Sequence, residues 1–214
     1  MTRELTAADL DATARRICEM IRSCTEEFNR LDAETGDGDM GSSLSAAARA
    51  VLEDPEPLPD DLGAAFYRLA SAIAKRSGSS LSAIAMTGLM SLGKSVHGRT
   101  TIGAADFVLV LNDALVVMLS RSGAQFGDKT VLDGVKAIVD TAGDAADFEA
   151  LGILSLHALA RCVEEFRDRP SCVGRARLAP GHGIGLDDPG MIVLFRMAEV
   201  AASLSRADER VPRS

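Results

Sequence analysis

From Leu10 to Leu31 the apolar side chains return every three or four residues, as Leu10, Ala14, Ile17, Ile21, Cys24, Phe28 and Leu31. That spacing draws one face of a helix sustained for about six turns. Thr6-Ala7-Ala8-Asp9 reads as a capping box opening this helix, with Asp in the place of the usual Glu. Ser42 or Ser43 is placed to cap the next helix, with Leu44, Ala47, Ala48 and Val51 on its inner face. Further stripes run from Leu62 to Ile73, Leu81 to Leu92, Phe107 to Leu119, Leu132 to Val139, Leu151 to Phe166 and Met191 to Leu204. No period-two alternation builds a sheet and no segment repeats. Alanine and leucine dominate the composition, which favours helix. The expectation is an all-α fold of about seven or eight helices.

The connections are more telling than the helices. Asp54 to Asp60 is a proline-rich loop, and Lys75-Arg76-Ser77-Gly78-Ser79-Ser80 is a small polar turn. Gly127-Asp128-Lys129-Thr130, followed by Leu132-Asp133, puts another polar turn at a helix start, where an N-cap is the simplest reading. Arg169 to Gly190 is rich in Gly, Pro and Arg, and loops of that length inside compact domains tend to be functional. Gly174-Arg175-Ala176-Arg177 within it offers two guanidinium groups suited to phosphate or to solvent. Asp188-Pro189-Gly190 is a turn before the last helix.

The stretch Leu31 to Gly41 carries the clearest chemistry. Asp32, Asp37 and Asp39 lie among Gly36, Gly38 and Gly41. Glycine lets the backbone turn tightly enough for neighbouring carboxylates to converge. Converging carboxylates repel unless a cation neutralises them. Mg²⁺ suits an all-oxygen cluster, since it takes one or two carboxylates and completes its shell with water and phosphate. A helix beginning just after the loop would aim its positive end at the same place. A Mg²⁺–phosphate site and a solvated polar turn are the two readings of this stretch.

Other classes are disfavoured. A net charge of −8 argues against a nucleic-acid groove or an anionic membrane surface. There is no signal peptide and no apolar run of membrane length, so a cytoplasmic location is expected. Cys18, Cys24, Cys162 and Cys172 form no C-x-x-C pair and read as incidental thiols, with Cys24 on the first apolar stripe and Cys18 flanking it. His157, among leucines, reads as structural. Gly88-Leu89-Met90-Ser91-Leu92-Gly93-Lys94-Ser95 fits the P-loop pattern by letter. A P-loop needs a strand before it and a helix starting at its lysine, whereas here a helical stripe runs straight through. An EF-hand fails too: counted from Asp32, Asp37 stands where that loop needs glycine and Ser43 where it needs glutamate.

Taken in order, Leu31-Asp32, Gly36-Asp37-Gly38-Asp39, the Ser-Gly-Ser turn, Gly123 with Gly127-Asp128-Lys129-Thr130-Val131-Leu132-Asp133, Gly174-Arg175-Ala176 and Asp188-Pro189-Gly190 resemble the L subunit of dihydroxyacetone kinase. The resemblance spans about Thr6 to Leu204 and treats residues 1–214 as one domain. It implies an all-α barrel of antiparallel amphipathic helices with ADP or ATP bound at one end. Asp32, Asp37 and Asp39 would hold two Mg²⁺ ions on the phosphates, beneath a helix opened by Met40, Gly41, Ser42 and Ser43. Ser77 and Gly78, or Ser79 and Ser80, would form the phosphate turn. Gly123 and Val131 would line the adenine pocket, Thr130 would also belong to the nucleotide site, and Arg175 with Asp188, Pro189 and Gly190 would close over the nucleotide.

The resemblance further implies a separate K-type subunit holding a ketose, with either ATP exchange or a phosphotransferase-system protein as phosphate source, and it allows a homodimer. Met40 stands where that family usually has His or Thr. The paired glycines expected before the Ser-Gly turn are Ala74 and Lys75, or Arg76 and Ser77. The loop after Arg175 lacks the usual Tyr-Leu-Gly-Glu-Arg. These departures make a related ketose such as erythrulose a candidate substrate beside dihydroxyacetone, and a non-catalytic binding module the alternative function.

Overall fold

Thr6 and Asp9 close the expected capping box: each backbone N–H donates to the other's side chain, at 3.0 and 3.3 Å. The helix they open, α1 (Ala7–Ser23), stops at Cys24, and α2 (Thr25–Ala33) follows at once. The single long helix read from the apolar stripe is therefore two. Cys24 leaves helical geometry (φ −97°, ψ 12°), while its N–H still donates to Met20 O and its carbonyl accepts from Phe28. The Thr25 hydroxyl donates back to Arg22 O at 2.9 Å, a bond of the kind that bends helices. The periodicity survives the kink, which is why the sequence hides it. The structure is a computed structural model and describes residues 4–76, 78–174 and 181–207, with backbone alone over 204–207.

Seven more helices follow among the described residues: α3 (Met40–Leu52), α4 (Leu62–Ala74), α5 (Ser80–Ser95), α6 (Ala104–Ser122), α7 (Val131–Ala142), α8 (Phe148–Arg167) and α9 (Pro189–Ala207). Pro189 opens α9, where its missing N–H is no loss. Contrary to the strand-free expectation, β1 (Leu5–Thr6) pairs antiparallel with β2 (Thr101–Ile102), Leu5 opposite Ile102. Two-residue strands carry no alternation to read.

Each helix packs on the next, α3 on α4 through to α8 on α9, and α9 packs back onto α1 and α2. With α1 and α2 counted as one kinked stave, this is a closed ring of eight. The connections between successive staves are short except for the one from Asp168 to Asp188, between α8 and α9. The interior is apolar, with Phe28, Leu62, Leu132, Leu159 and Met191 almost wholly buried, each such side chain contributing about 1.5–3 kcal/mol. Gly63 and Gly93 let α4 and α5 meet backbone to backbone, for a Cβ on Gly63 would stand 2.6 Å from Gly93 O. Gly88 faces the Met118 sulfur in the same way at 2.8 Å. The P-loop-like letters thus form a helix-packing surface inside α5.

Two minor expectations are corrected. Cys18 is buried and Cys24 only half-buried, so Cys18 is the core thiol of the stripe. Burial pushes it up to about 11, as it does Cys162. His157 is exposed on α8 rather than packed among its leucine neighbours.

Candidate functional site

Asp32 ends α2 with one carboxylate oxygen already engaged. Its Oδ2 accepts the backbone N–H groups of Gly38, Asp39 and Met40 at 2.9, 3.1 and 3.3 Å. Asp32 as a whole is 9% exposed. Gly38 adopts φ +78°, which lets the chain fold around it. The other oxygen, Oδ1, lies against Gly36, where a Cβ would stand 2.6 Å away. The loop is thus wrapped on Asp32, and this wrapping brings Asp37 and Asp39, both exposed, beside it. One carboxylate oxygen from each of the three aspartates lies within 4.8 Å of the others. Such a set of hard oxygens suits a Mg²⁺-type cation, whose charge would relieve the mutual repulsion.

The helix above the loop starts earlier than its serines suggest. Asp39 is the N-cap residue of α3, without a side-chain capping bond, and Met40 is the first helical position. Ser42 and Ser43 therefore lie inside the first turn, since Asp32 takes over capping from a neighbouring helix. Asn29 supports this arrangement, accepting the Ser42 N–H at 3.0 Å and donating to its Oγ at 3.1 Å. Gly41 is buried, and a Cβ there would overlap the Thr25 carbonyl oxygen. Met40 packs into the apolar cluster of Phe28 and Leu44.

Apolar neighbours of several other site candidates pack in clusters with those of the loop. Leu31, Met40, Leu81 at the start of α5 and Ile192 at the start of α9 share one apolar cluster. Ile84, Ala124, Val131 and Leu132 share a second cluster. An Arg196–Glu27 ion pair at 3.0 Å holds α9 along α2. Ser79 caps α5, accepting the Ser82 N–H at 3.3 Å and donating to its Oγ at 2.9 Å, and Ser80 opens the helix. Gly78 faces open space. Gly123 ends α6 at φ +71°. Thr130 caps α7 in a second capping box with Asp133, and Val131 is its first residue. Asp188 accepts the Met191 N–H at 2.8 Å, and a Cβ on Gly190 would stand 3.3 Å from that of Val131, so the starts of α7 and α9 touch. Ser77, Arg175 and Arg177 lie outside the described residues.

Burial pushes the Asp188 carboxyl from 3.8 up to about 7; the Met191 N–H and the Lys129 ammonium oppose the shift, and Asp133 adds to it. Two residues that the sequence shows only as parts of a motif gain a role here. Asp133 accepts the Gly127 and Thr130 N–H groups at 2.6 and 2.9 Å, fixing the turn before α7. Lys129 is buried and holds carbonyls of distant segments.

Residues 34–203 match the model of the DAK2 domain. L-erythrulose 1-kinase of Mycolicibacterium smegmatis is 30% identical over 174 residues, 78% of this chain and 30% of its own length. The ADP-binding subunit DhaL of a PEP-dependent dihydroxyacetone kinase of Listeria innocua is 26% identical over 181 residues, 80% of this chain and 82% of its own. The crystal structure of C. freundii dihydroxyacetone kinase in complex with AMP-PNP and Mg²⁺ has the same fold, with a TM-score of 0.72 at 22% identity over 95% of this chain and 35% of that one. The chain spans about a third of the erythrulose kinase and of the C. freundii enzyme.

Proposed function

The chain belongs to the DAK2 domain family, and from that premise we propose that it is the nucleotide-carrying L component of a ketose kinase. In this reading it holds ADP or ATP with two Mg²⁺ ions and passes phosphate to dihydroxyacetone, or to a related ketose such as erythrulose, held by a separate K-type subunit. The observation that carries the reading is the convergence of Asp32, Asp37 and Asp39 within 4.8 Å, directly before the first turn of α3. The name of the Listeria relative supports ADP as ligand, and the names of the kinase relatives support the reaction class.

Phosphoryl transfer asks chiefly for positioning and for cancellation of phosphate charge. When bound, the metal ions would supply that cancellation. Asp37 and Asp39 present exposed oxygens toward the ligand, while Asp32 keeps the loop in shape through its three backbone bonds. The first turn of α3, from Met40 to Ser43, turns its positive end to the phosphates. Ser79 and Ser80 offer a second helix start. Gly123, Thr130 and Val131 border the base, and Asp188, Pro189 and Gly190 close that border from α9. No side chain of this set needs to act as a nucleophile.

The test begins with protein purified in Mg²⁺, denatured and assayed for released adenine nucleotide, then titrated with Mg–ATP. Stoichiometric ADP supports a retained nucleotide recharged by a phosphotransferase-system donor. Binding only on titration supports exchange with ATP. Absence of both, or unchanged binding in Asp37→Ala, overturns the reading.

A further inference from the structure

The ammonium of Lys129 donates to three backbone carbonyls: Arg167 at 3.0 Å, Arg169 at 2.9 Å and Gly183 at 2.6 Å. A lysine has three N–H donors, so its capacity is filled. The residue is 1% exposed and sits at φ +64°, a left-handed conformation that residues with a Cβ rarely adopt. Such backbone strain persists where the surroundings over-determine it, and it gathers at functional sites. A cation beside a helix start also runs against the helix dipole. Burial lowers the affinity of this amine for its proton, and Asp188, Asp187 and Asp168 act in the opposite sense.

The three carbonyls belong to two limbs of chain. Arg167 and Arg169 lie where the chain leaves α8, and Gly183 lies where it returns toward α9. The limbs are also tied directly, with Ser171 N–H donating to His182 O at 3.0 Å and Gly185 N–H to Arg167 O at 2.9 Å. Cys172 N–H donates to Asp128 O at 3.1 Å, beside Lys129 itself. The turn before α7 and the connection before α9 are thus fastened at one ammonium. The next residue, Thr130, caps α7, and Gly190 at the start of α9 stands against Val131.

We infer that Lys129 is a positioning residue, whose ammonium sets the starts of α7 and α9 against each other and thereby shapes the base-binding border of the nucleotide site. The inference rests on the nucleotide-carrying function proposed above. An uncharged side chain of the same length would leave three carbonyls without their donors and free the two helix starts to separate. The aspartate loop, held by Asp32 through the backbone N–H groups of Gly38, Asp39 and Met40, would keep its form.

Lys129→Met tests this with three readouts on the full chain: helical circular dichroism, Mn²⁺ binding followed by electron paramagnetic resonance, and Mg–ADP binding by calorimetry. Helicity and Mn²⁺ binding should persist while Mg–ADP affinity falls by about ten-fold or more. A folded variant that binds Mg–ADP like the wild type overturns the inference. If the variant does not fold, hydrogen exchange in the wild type decides. Saturating Mg–ADP should slow the amides of Ser171, Cys172 and Gly185 by about ten-fold, because coupling between sites is reciprocal. Unchanged exchange there overturns the inference. Wild-type protein that fails to bind Mg–ADP at all overturns the functional reading, and this inference with it.

Discussion

Asp32 Oδ2 accepts the backbone N–H of Met40 at 3.3 Å, so a carboxylate at the end of α2 serves as the cap of α3. The same oxygen holds Gly38 and Asp39. Asp32 therefore has a structural duty in addition to its place in the cluster. Asp32→Asn should cost about 1.5–3 kcal/mol, the scale of a hydrogen bond to a charged group. Asp39→Asn, at an exposed position whose side chain makes no capping bond, should stay within about 0.5 kcal/mol. Both should lose metal binding. Urea unfolding with Mn²⁺ titration separates the two effects, and equal stability losses would refute the distinction.

Gly41→Ala should destabilise the chain, although alanine is the better helix former. The added methyl would overlap the Thr25 carbonyl oxygen and push α3 away from the junction of α1 and α2. Overpacking of this kind costs about 1–3 kcal/mol. A raised melting temperature in this variant would show that the helices part without strain.

Asp188 gives a pH signature. Its carboxyl is pushed from 3.8 up to about 7 by burial. Between those values the folded chain keeps a proton there that the unfolded chain has lost. The stability contributed by this group is thus full below 3.8, falls as pH rises toward about 7, and is level above. Asp188→Asn keeps a good capping residue and removes the titration. The urea midpoint of the variant, relative to wild type, should therefore improve from about pH 4 to about pH 8. A constant difference across that range contradicts the assignment.

Lys94→Ala should leave Mg–nucleotide affinity as it is, because Lys94 is exposed in the last turn of α5 and the preceding glycines serve packing between helices. Calorimetric titration checks this, and a lost affinity would revive a P-loop.

Much of the barrel was legible because its signals are local. The apolar stripes, the capping boxes at Thr6 and Thr130 and the aspartate loop each lie within a few residues of sequence. The break at Cys24 was not legible, since the hydrogen bonds to Met20 and from Phe28 carry the helical period across it. The residues alone pointed to Ser42 or Ser43 as the cap of α3 because the true cap comes from Asp32, in another helix, whereas the resemblance had the helix opened by Met40, where it starts. Lys129 looked like one more residue of a polar turn, as its carbonyl partners lie 38 to 54 residues further along. The exposed aspartates could be named from sequence; the backbone bonds that bring them together could not.

The ring closes where α9 meets α1 and α2. Without α9, the last of the described helices, the other staves would leave the ring open and its apolar inner face uncovered. Phe28 and Leu31 lie at the seam that the starting turn of α9 covers, through Ile192 and Val193. The aspartate loop and the turn before α7 thus share one covering helix, through Ile192 in the cluster of Leu31 and Gly190 against Val131. Under the proposed function, a chain truncated before Pro189 should carry its aspartates yet hold no nucleotide, so that ligand capture would report the arrival of α9.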